Sequence, residues 1–259
     1  MKISGIALVI TFLVAFSSAS FAQKSKREFY QLKVYTLASD AQEKVVDKYL
    51  KDAFIPALHR ANIKSVGVFK TKLSETDTVR KVYVLIPFPS YDQFSTLANT
   101  LSKDAQYQTA GSEYINAAYN QPPYIRIEST LLQAFTGMPF MKTPKLNGPR
   151  SERVYELRSY ESATEKIHLN KVEMFNDGEV ALFDRLGFNA VFYGEVISGS
   201  TMPNLMYMTT FENKASRDEH WKAFSTAPEW EKLKVMPKYQ NNVSKNDTRF
   251  LTPTEYSDY

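Results

Sequence analysis

The chain has 259 residues, no Cys, 3 His and a formal net charge of +4. The absence of Cys excludes disulfides, thiolate nucleophiles and Cys-held metals. Lys and Arg interleave with Asp and Glu, so the weak positive charge gives no nucleic-acid footprint, and 16 Tyr, 17 Phe and 2 Trp offer material for one large or two small cores.

Residues 1–22 read as a signal peptide. Lys2 precedes an apolar run over 6–16 that only Thr11 interrupts, and Ser20-Phe21-Ala22 satisfies the small-x-small cleavage rule. The run is too short to span a bilayer, which takes about 20 apolar residues, and no later segment is long and apolar enough. The expectation is an exported protein, periplasmic or secreted, that begins at Gln23 and has no integral membrane segment.

A first module is expected over 23–135. A strand over 29–35 leads to a helix opened by the capping-box pattern Asp40-Ala41-Gln42-Glu43. Val46, Tyr49, Leu50, Ala53 and Ala57 recur along it at helical spacing. Pro56 is expected to break or kink this helix and Asn62 to stop it. Strands over 66–70 and 82–88 flank a turn at Ser74-Glu75-Thr76-Asp77. A helix capped at Ser90, an aromatic turn at Tyr107 and a strand over 124–130 complete the module.

Residues 136–150, with Gly137, Pro139, Pro144, Gly148 and Pro149, read as a linker. The module over 151–259 then repeats the first. Tyr155, Leu157 and Tyr160 match Tyr30, Leu32 and Tyr35 at an offset of 125. Ser162-Ala163-Thr164-Glu165 has the capping-box form, Asn176-Asp177-Gly178 the kink and Gly187 the stop. Strands over 190–197 and 205–211, a helix capped at Ser216, a turn at Trp230 with Pro228 at a first helical position, and a strand over 247–252 follow. Both halves read β-α-β-β-α-β, which predicts an α+β chain of two tandem ferredoxin-like modules.

Tyr155-Glu156-Leu157-Arg158-x-Tyr160, followed by Trp221-x-Ala223-Phe224 and Pro228-Glu229-Trp230, resembles the NIPSNAP family. The resemblance runs from Arg153 to about Tyr256. The first half follows it loosely, with Gln31-Leu32-Lys33 for Glu-Leu-Arg and Tyr107 for the second Trp. It implies the dimeric α/β-barrel group, whose ferredoxin-like units pair sheet to sheet, and tandem copies would let one chain form the barrel. Some members of that group are cofactor-free monooxygenases or isomerases, but a shared fold does not fix a function.

Strand alternation puts Glu156, Arg158 and Tyr160 on one face, with Gln31, Lys33 and Tyr35 as their first-copy counterparts. If the helices cover the more apolar face, the charged one turns into the barrel interior. There Glu156 and Arg158 either pair with each other, or Arg158 and Lys33 receive an anionic ligand. Tyr193, Tyr207, Trp221 and Trp230 either pack as core or wall a flat ligand; spacing does not place Arg217. His59, His168 and His220 lack metal-ligand spacing. The first two are expected on solvated or half-buried helix faces, and His220, beside Trp221, is a weak candidate for acid–base work. No phosphate loop, dinucleotide fingerprint or nucleophile elbow occurs, so no cofactor and no metal is expected. Two Asn-x-Ser/Thr patterns, at Asn242 and Asn246, are discounted as short chance matches.

The copies are unequal. Gln31, Lys33, Phe94, Ser95 and Tyr107 are read as the first-copy replacements, so any site is weighted to the second copy. Three readings follow: a module binding a small apolar or amphipathic ligand between its two halves, a cofactor-free enzyme using the same interior, or an interaction protein with a filled interior. A filled interior with Glu156 and Arg158 paired would rule out the first two readings. Monomer and homodimer both remain open, since edge strands could still join another chain.

Overall fold

A computed structural model describes residues 26–71 and 79–259. The expected signal peptide over 1–22 and the turn at Ser74-Glu75-Thr76-Asp77 lie outside the described residues. The first half runs β1 (Phe29–Leu37), α1 (Asp40–Tyr49), a π-helical turn (Leu50–Phe54), α2 (Ile55–Arg60), β2 (Gly67–Thr71), β3 (Arg80–Phe88), α3 (Tyr91–Ser102), α4 (Ala105–Ala110), α5 (Ser112–Ile115) and β4 (Arg126–Ala134). The second runs β5 (Val154–Glu161), α6 (Glu165–Met174), a π-helical turn (Phe175–Glu179), α7 (Val180–Arg185), β6 (Phe192–Ser198), β7 (Asn204–Phe211), α8 (Lys214–Ser225), α9 (Pro228–Lys234) and β8 (Lys245–Pro253). Among the described residues, no helix is long and apolar enough to cross a membrane.

The repeat is closer than the motifs suggest. From α1 and α6 through the start of β2 and β6, the elements correspond at an offset of 125 with no gap. Both helix stops hold a left-handed residue, Asn62 at φ 61° and Gly187 at φ 76°. From the ends of β3 and β7 through α3 and α8 the offset is 123.

The helices begin elsewhere than expected in three places. Ser39, not Asp40, caps α1 and accepts the Gln42 N–H. Thr164, not Ser162, caps α6, and Ser162 instead donates to the Asn242 carbonyl at 2.6 Å. Asn213, not Ser216, caps α8 and accepts the Ser216 N–H at 2.9 Å. A cap needs extended backbone as well as a side-chain oxygen, and where several polar residues follow one another the pattern alone does not choose. Ser90 caps α3 as expected. The expected breaks are π-helical turns: Ile55 N–H reaches back to Leu50 O, and Val180 N–H to Phe175 O. Pro56 is the second residue of α2, and its missing N–H falls where the helix leaves the π-helical turn.

The eight strands close into one barrel in the order β1-β3-β2-β8-β5-β7-β6-β4. Each module contributes a ferredoxin-like quartet, β4-β1-β3-β2 and β8-β5-β7-β6. The seams are β2 with β8, through Phe69↔Pro253 to Thr71↔Leu251, and β4 with β6, around Leu132↔Val196. Closure pairs only part of each edge: β4 meets β6 over Leu131–Ala134, and β8 meets β2 over Leu251–Pro253.

The two sheet faces are the reverse of the expectation. Tyr30, Leu32, Leu85, Leu132, Tyr155, Leu157, Phe192, Met208 and Leu251 line and pack the barrel interior. The face carrying Gln31, Lys33, Tyr35, Glu156, Arg158 and Tyr160 points outward, beneath the helices. The interior is where the two modules bury surface against each other, and apolar contact there seals them. Each outer face has its own core, built on Tyr35, Val46, Tyr49, Phe54 and Val84 in the first module and on Phe175, Phe183, Phe188, Tyr193, Tyr207 and Phe224 in the second.

Candidate functional site

The site grows from alternate residues of β5. Glu156 is 0% exposed, and a buried carboxylate must find donors. It finds four. Arg158 Nε donates to Oε1 at 2.7 Å, and Arg217 donates to both oxygens, Nη2 at 2.9 Å and Nε at 2.7 Å. Trp221 Nε1 adds a fourth at 2.9 Å. Burial would raise the Glu156 carboxyl, but the hydrogen bonds and charges of the two guanidinium groups outweigh it and hold its pKa below the ordinary value.

Arg158 lies 3.9 Å from the Trp221 ring centroid, a cation–π contact in a largely desolvated place. Its Nη1 donates to Tyr160 OH at 2.9 Å, and that hydroxyl lies 2.9 Å from Tyr207 OH. Tyr193 stacks against Tyr207 with ring centroids 5.7 Å apart. Burial raises both phenols well above their ordinary value. They are therefore neutral hydroxyls at physiological pH.

A second buried pair stands behind these rings. Lys171 of α6 bonds Glu179 of the π-helical turn, with side chains 7% and 4% exposed. The Lys171 ammonium lies 4.8 Å from the Phe175 ring and 5.9 Å from Trp230. Burial raises the Glu179 carboxyl despite the neighbouring ammonium. The extra residue of the π-helical turn puts Glu179 inward, and its neighbours line two clefts. One, of about 260 Å³, is bounded by Met138, Asn176, Val180, Ala181 and Tyr193. The other, of about 460 Å³, is an apolar groove among Gly178, Leu182, Leu233 and Met236.

Glu156, Arg158, Tyr160, Tyr193, Trp221 and Trp230 thus come together, beneath the helices and not inside the barrel. Lys33 and Tyr35 do not join them. They stand on β1, across the barrel from β5, with the Lys33 ammonium 4.9 Å from the Phe54 ring and 5.4 Å from Tyr35. No ligand can bridge Lys33 and Arg158, because both project outward on opposite sides. The interior between the modules is packed along most of its length, with a cavity of about 280 Å³ at one mouth over Leu32, Val34, Leu157 and Met206.

His220 donates its Nδ1 proton to the Ser216 carbonyl at 2.6 Å and packs on Phe188 and Phe211. A carbonyl only accepts, so that nitrogen carries the proton. His168 is buried, contrary to expectation, with Nε2 3.5 Å from Glu195. This partner, more than burial, moves the Glu195 carboxyl, and downward. His59 is partly exposed and meets Asp258 at 2.9 Å.

Lys171 and Glu179 were not among the residues picked out by motif. The gapless repeat carries the signal, since they align with Val46 and Phe54. It also sets Val68 opposite Tyr193. The later offset sets Val84 opposite Tyr207, Phe94 opposite Arg217, and Leu97 and Ala98 opposite His220 and Trp221. Phe94 and Ser95 are therefore not the counterparts of His220 and Trp221; the misplaced cap at Ser216 shifted that correspondence by three residues.

The NIPSNAP family model matches residues 155–258, the whole of this second module from β5 onward. A candidate monooxygenase from Fusobacterium nucleatum subsp. nucleatum superposes with a TM-score of 0.59 at 10% identity, over 89% of this chain and 94% of its own. Another from Lactobacillus acidophilus gives 0.55 at 12% identity, over 88% and 94%. A NIPSNAP family protein from Agrobacterium tumefaciens covers 45% of this chain and 98% of its own at 18% identity, with a TM-score of 0.38. Comparison with curated proteins finds no match. The second half of the chain thus matches the NIPSNAP family model, and the two quartets of strands close one barrel within a single chain.

Proposed function

We propose that this protein binds a small amphipathic molecule beneath the helices of its second module, entering by the cleft at Tyr193. One observation carries the reading. Where the first module places Val46, Phe54, Val68 and Val84, the second places Lys171, Glu179, Tyr193 and Tyr207. Replacing a buried ion pair by apolar residues is commonly neutral or stabilising, and the first module is such a replacement within the same fold. The charges are therefore not required by the fold. The ligand is small because the cleft holds about 260 Å³. It is amphipathic because Met138, Val180 and Ala181 face it beside Asn176, Lys142 and Asp184.

The test returns the first module's residues to the second. Lys171→Val with Glu179→Phe is expected to keep the fold and to lose whatever small molecule native mass spectrometry finds on the purified protein. Retention of that molecule at full occupancy overturns the proposal. A second reading, a cofactor-free enzyme, rests on Glu179, a buried carboxyl with a raised pKa near two neutral phenols, as acid–base groups often are. The monooxygenase label of two structural neighbours accords with it. Oxygen uptake with the identified molecule, abolished by Glu179→Gln, is its check. We also propose export, with residues 1–22 removed; N-terminal sequencing of the mature protein should begin at Gln23.

A further inference from the structure

A broad cleft belongs to the first module. It encloses about 760 Å³ between α4, α5 and the turn that precedes β4. Tyr107, Tyr114, Tyr119 and Tyr124 wall it, with Pro122 and Pro123, and none of its lining residues carries a charge. Tyr114 stacks on Tyr49 with centroids 3.7 Å apart and planes 8° off parallel, and Tyr124 leans on Tyr114 at 5.9 Å. Tyr107 OH and Tyr49 OH are 2.8 Å apart.

The second module does without this wall. Fifteen residues separate α4 from β4, whereas 10 connect α9 to β8. The longer connection is firmly held. Gln42 Nε2 donates to the Pro122 carbonyl at 2.8 Å, Gln42 Oε1 accepts the Ala38 N–H at 2.7 Å, and Ile125 N–H reaches Thr36 O at 2.8 Å. On this pinned turn Tyr119 stands 97% exposed at the lip of the cleft. A single exposed apolar residue needs no explanation. A ring held out by a pinned turn, beside three more rings and a cleft without charge, describes a binding surface.

The chemistry of the lining selects the occupant. A charged ligand would find no counter-charge in it. A wholly apolar one would cover phenolic hydroxyls without pairing them, which is costly. A ring-shaped molecule that has an apolar face and several hydroxyls suits both kinds of surface. We propose that this cleft binds a neutral oligosaccharide, with one sugar ring stacked on Tyr119 and its neighbour hydrogen-bonded by the phenols of Tyr114 and Tyr124.

The experiment uses the full chain with maltopentaose, cellopentaose and chitopentaose as probes, read by saturation-transfer NMR and calorimetry. At least one should bind saturably, and Tyr119→Ala should weaken it tenfold or more with no change in melting temperature, because the ring is exposed. Tyr124→Phe should weaken it several-fold by removing one hydroxyl. Three results overturn the proposal: no saturable binding of any probe, equal affinity in Tyr119→Ala, or preferential binding of 2-naphthol in the same cleft.

Discussion

Two faces of the same strand have fared differently in the two modules. Inside the barrel Tyr30 and Leu32 face the same environment as Tyr155 and Leu157, and the residues are identical. On the outer face Gln31 and Lys33 stand where the second module has Glu156 and Arg158. The inner face is constrained by the opposite module, because a change of volume there must be met across the barrel. The outer face answers only to its own helices. In the first module that space is closed by aliphatic and aromatic packing, and in the second by two buried ion pairs and a set of phenols.

The sharpest way to break the comparison is to remove one charge. Glu156→Ala leaves two guanidinium groups and an indole N–H facing an empty site, and should cost about 3–5 kcal/mol in urea unfolding. Gln31→Ala, at the same position of the first module, loses a hydrogen bond to Ser129 at the surface and should cost about 1 kcal/mol or less. Equal losses would remove the distinction between the outer faces.

Next comes the Lys171–Glu179 pair. Lys171→Val alone should destabilise by about 3 kcal/mol, because it strands a buried carboxylate. Adding Glu179→Phe should recover that loss and leave the protein as stable as the parent or about 1–4 kcal/mol more so. A double variant that is as unstable as the single would show that the second module needs its charges.

Acid titration gives a smaller effect. The folded pKa of Glu156 lies below its unfolded value, so its contribution is complete above that value, about 4.3, and is lost as the pH falls through the folded pKa. The melting-temperature gap between the parent and Glu156→Gln should hold steady above about pH 5 and narrow below it. A gap that widens in acid would contradict the assignment of Glu156 as an ionised carboxylate. Smallest are the helix caps. Ser39→Ala and Thr164→Ala should each cost about 1 kcal/mol, and by similar amounts, since both oxygens accept one N–H at 3.3 Å.

Much of this architecture can be read in the sequence because it is periodic. Tyr155, Leu157 and Tyr160 against Tyr30, Leu32 and Tyr35 give the repeat, and with it the two quartets of strands. What periodicity does not decide is which face of a strand meets which partner. Glu156 and Arg158 look like an interior pair when charge is taken to mark the space between sheets. They lie beneath the helices because the interior needs Tyr155 and Leu157 more. Lys171 and Glu179 are hidden for another reason. On a surface helix a Lys and a Glu are ordinary, and only the π-helical turn at Phe175–Glu179 carries Glu179 into the core beside Lys171. That turn depends on packing around it, not on a local motif.

The connection between β4 and β5 has a consequence for inheritance. In a barrel made from two identical subunits, every substitution appears twice, and the two outer sites stay equal by symmetry. Residues 135–153 tie Ala134 to Val154 in one polypeptide and remove that constraint. Each half can then acquire a change that the other never receives. The connection is anchored along its course, with Asn147 and Gly148 N–H groups bonded to Glu212 and the Arg153 guanidinium to the carbonyls of Leu146 and Gly148. The outer faces of the two halves can then differ, one closed by aliphatic and aromatic packing and the other holding buried ion pairs, on opposite sides of one barrel.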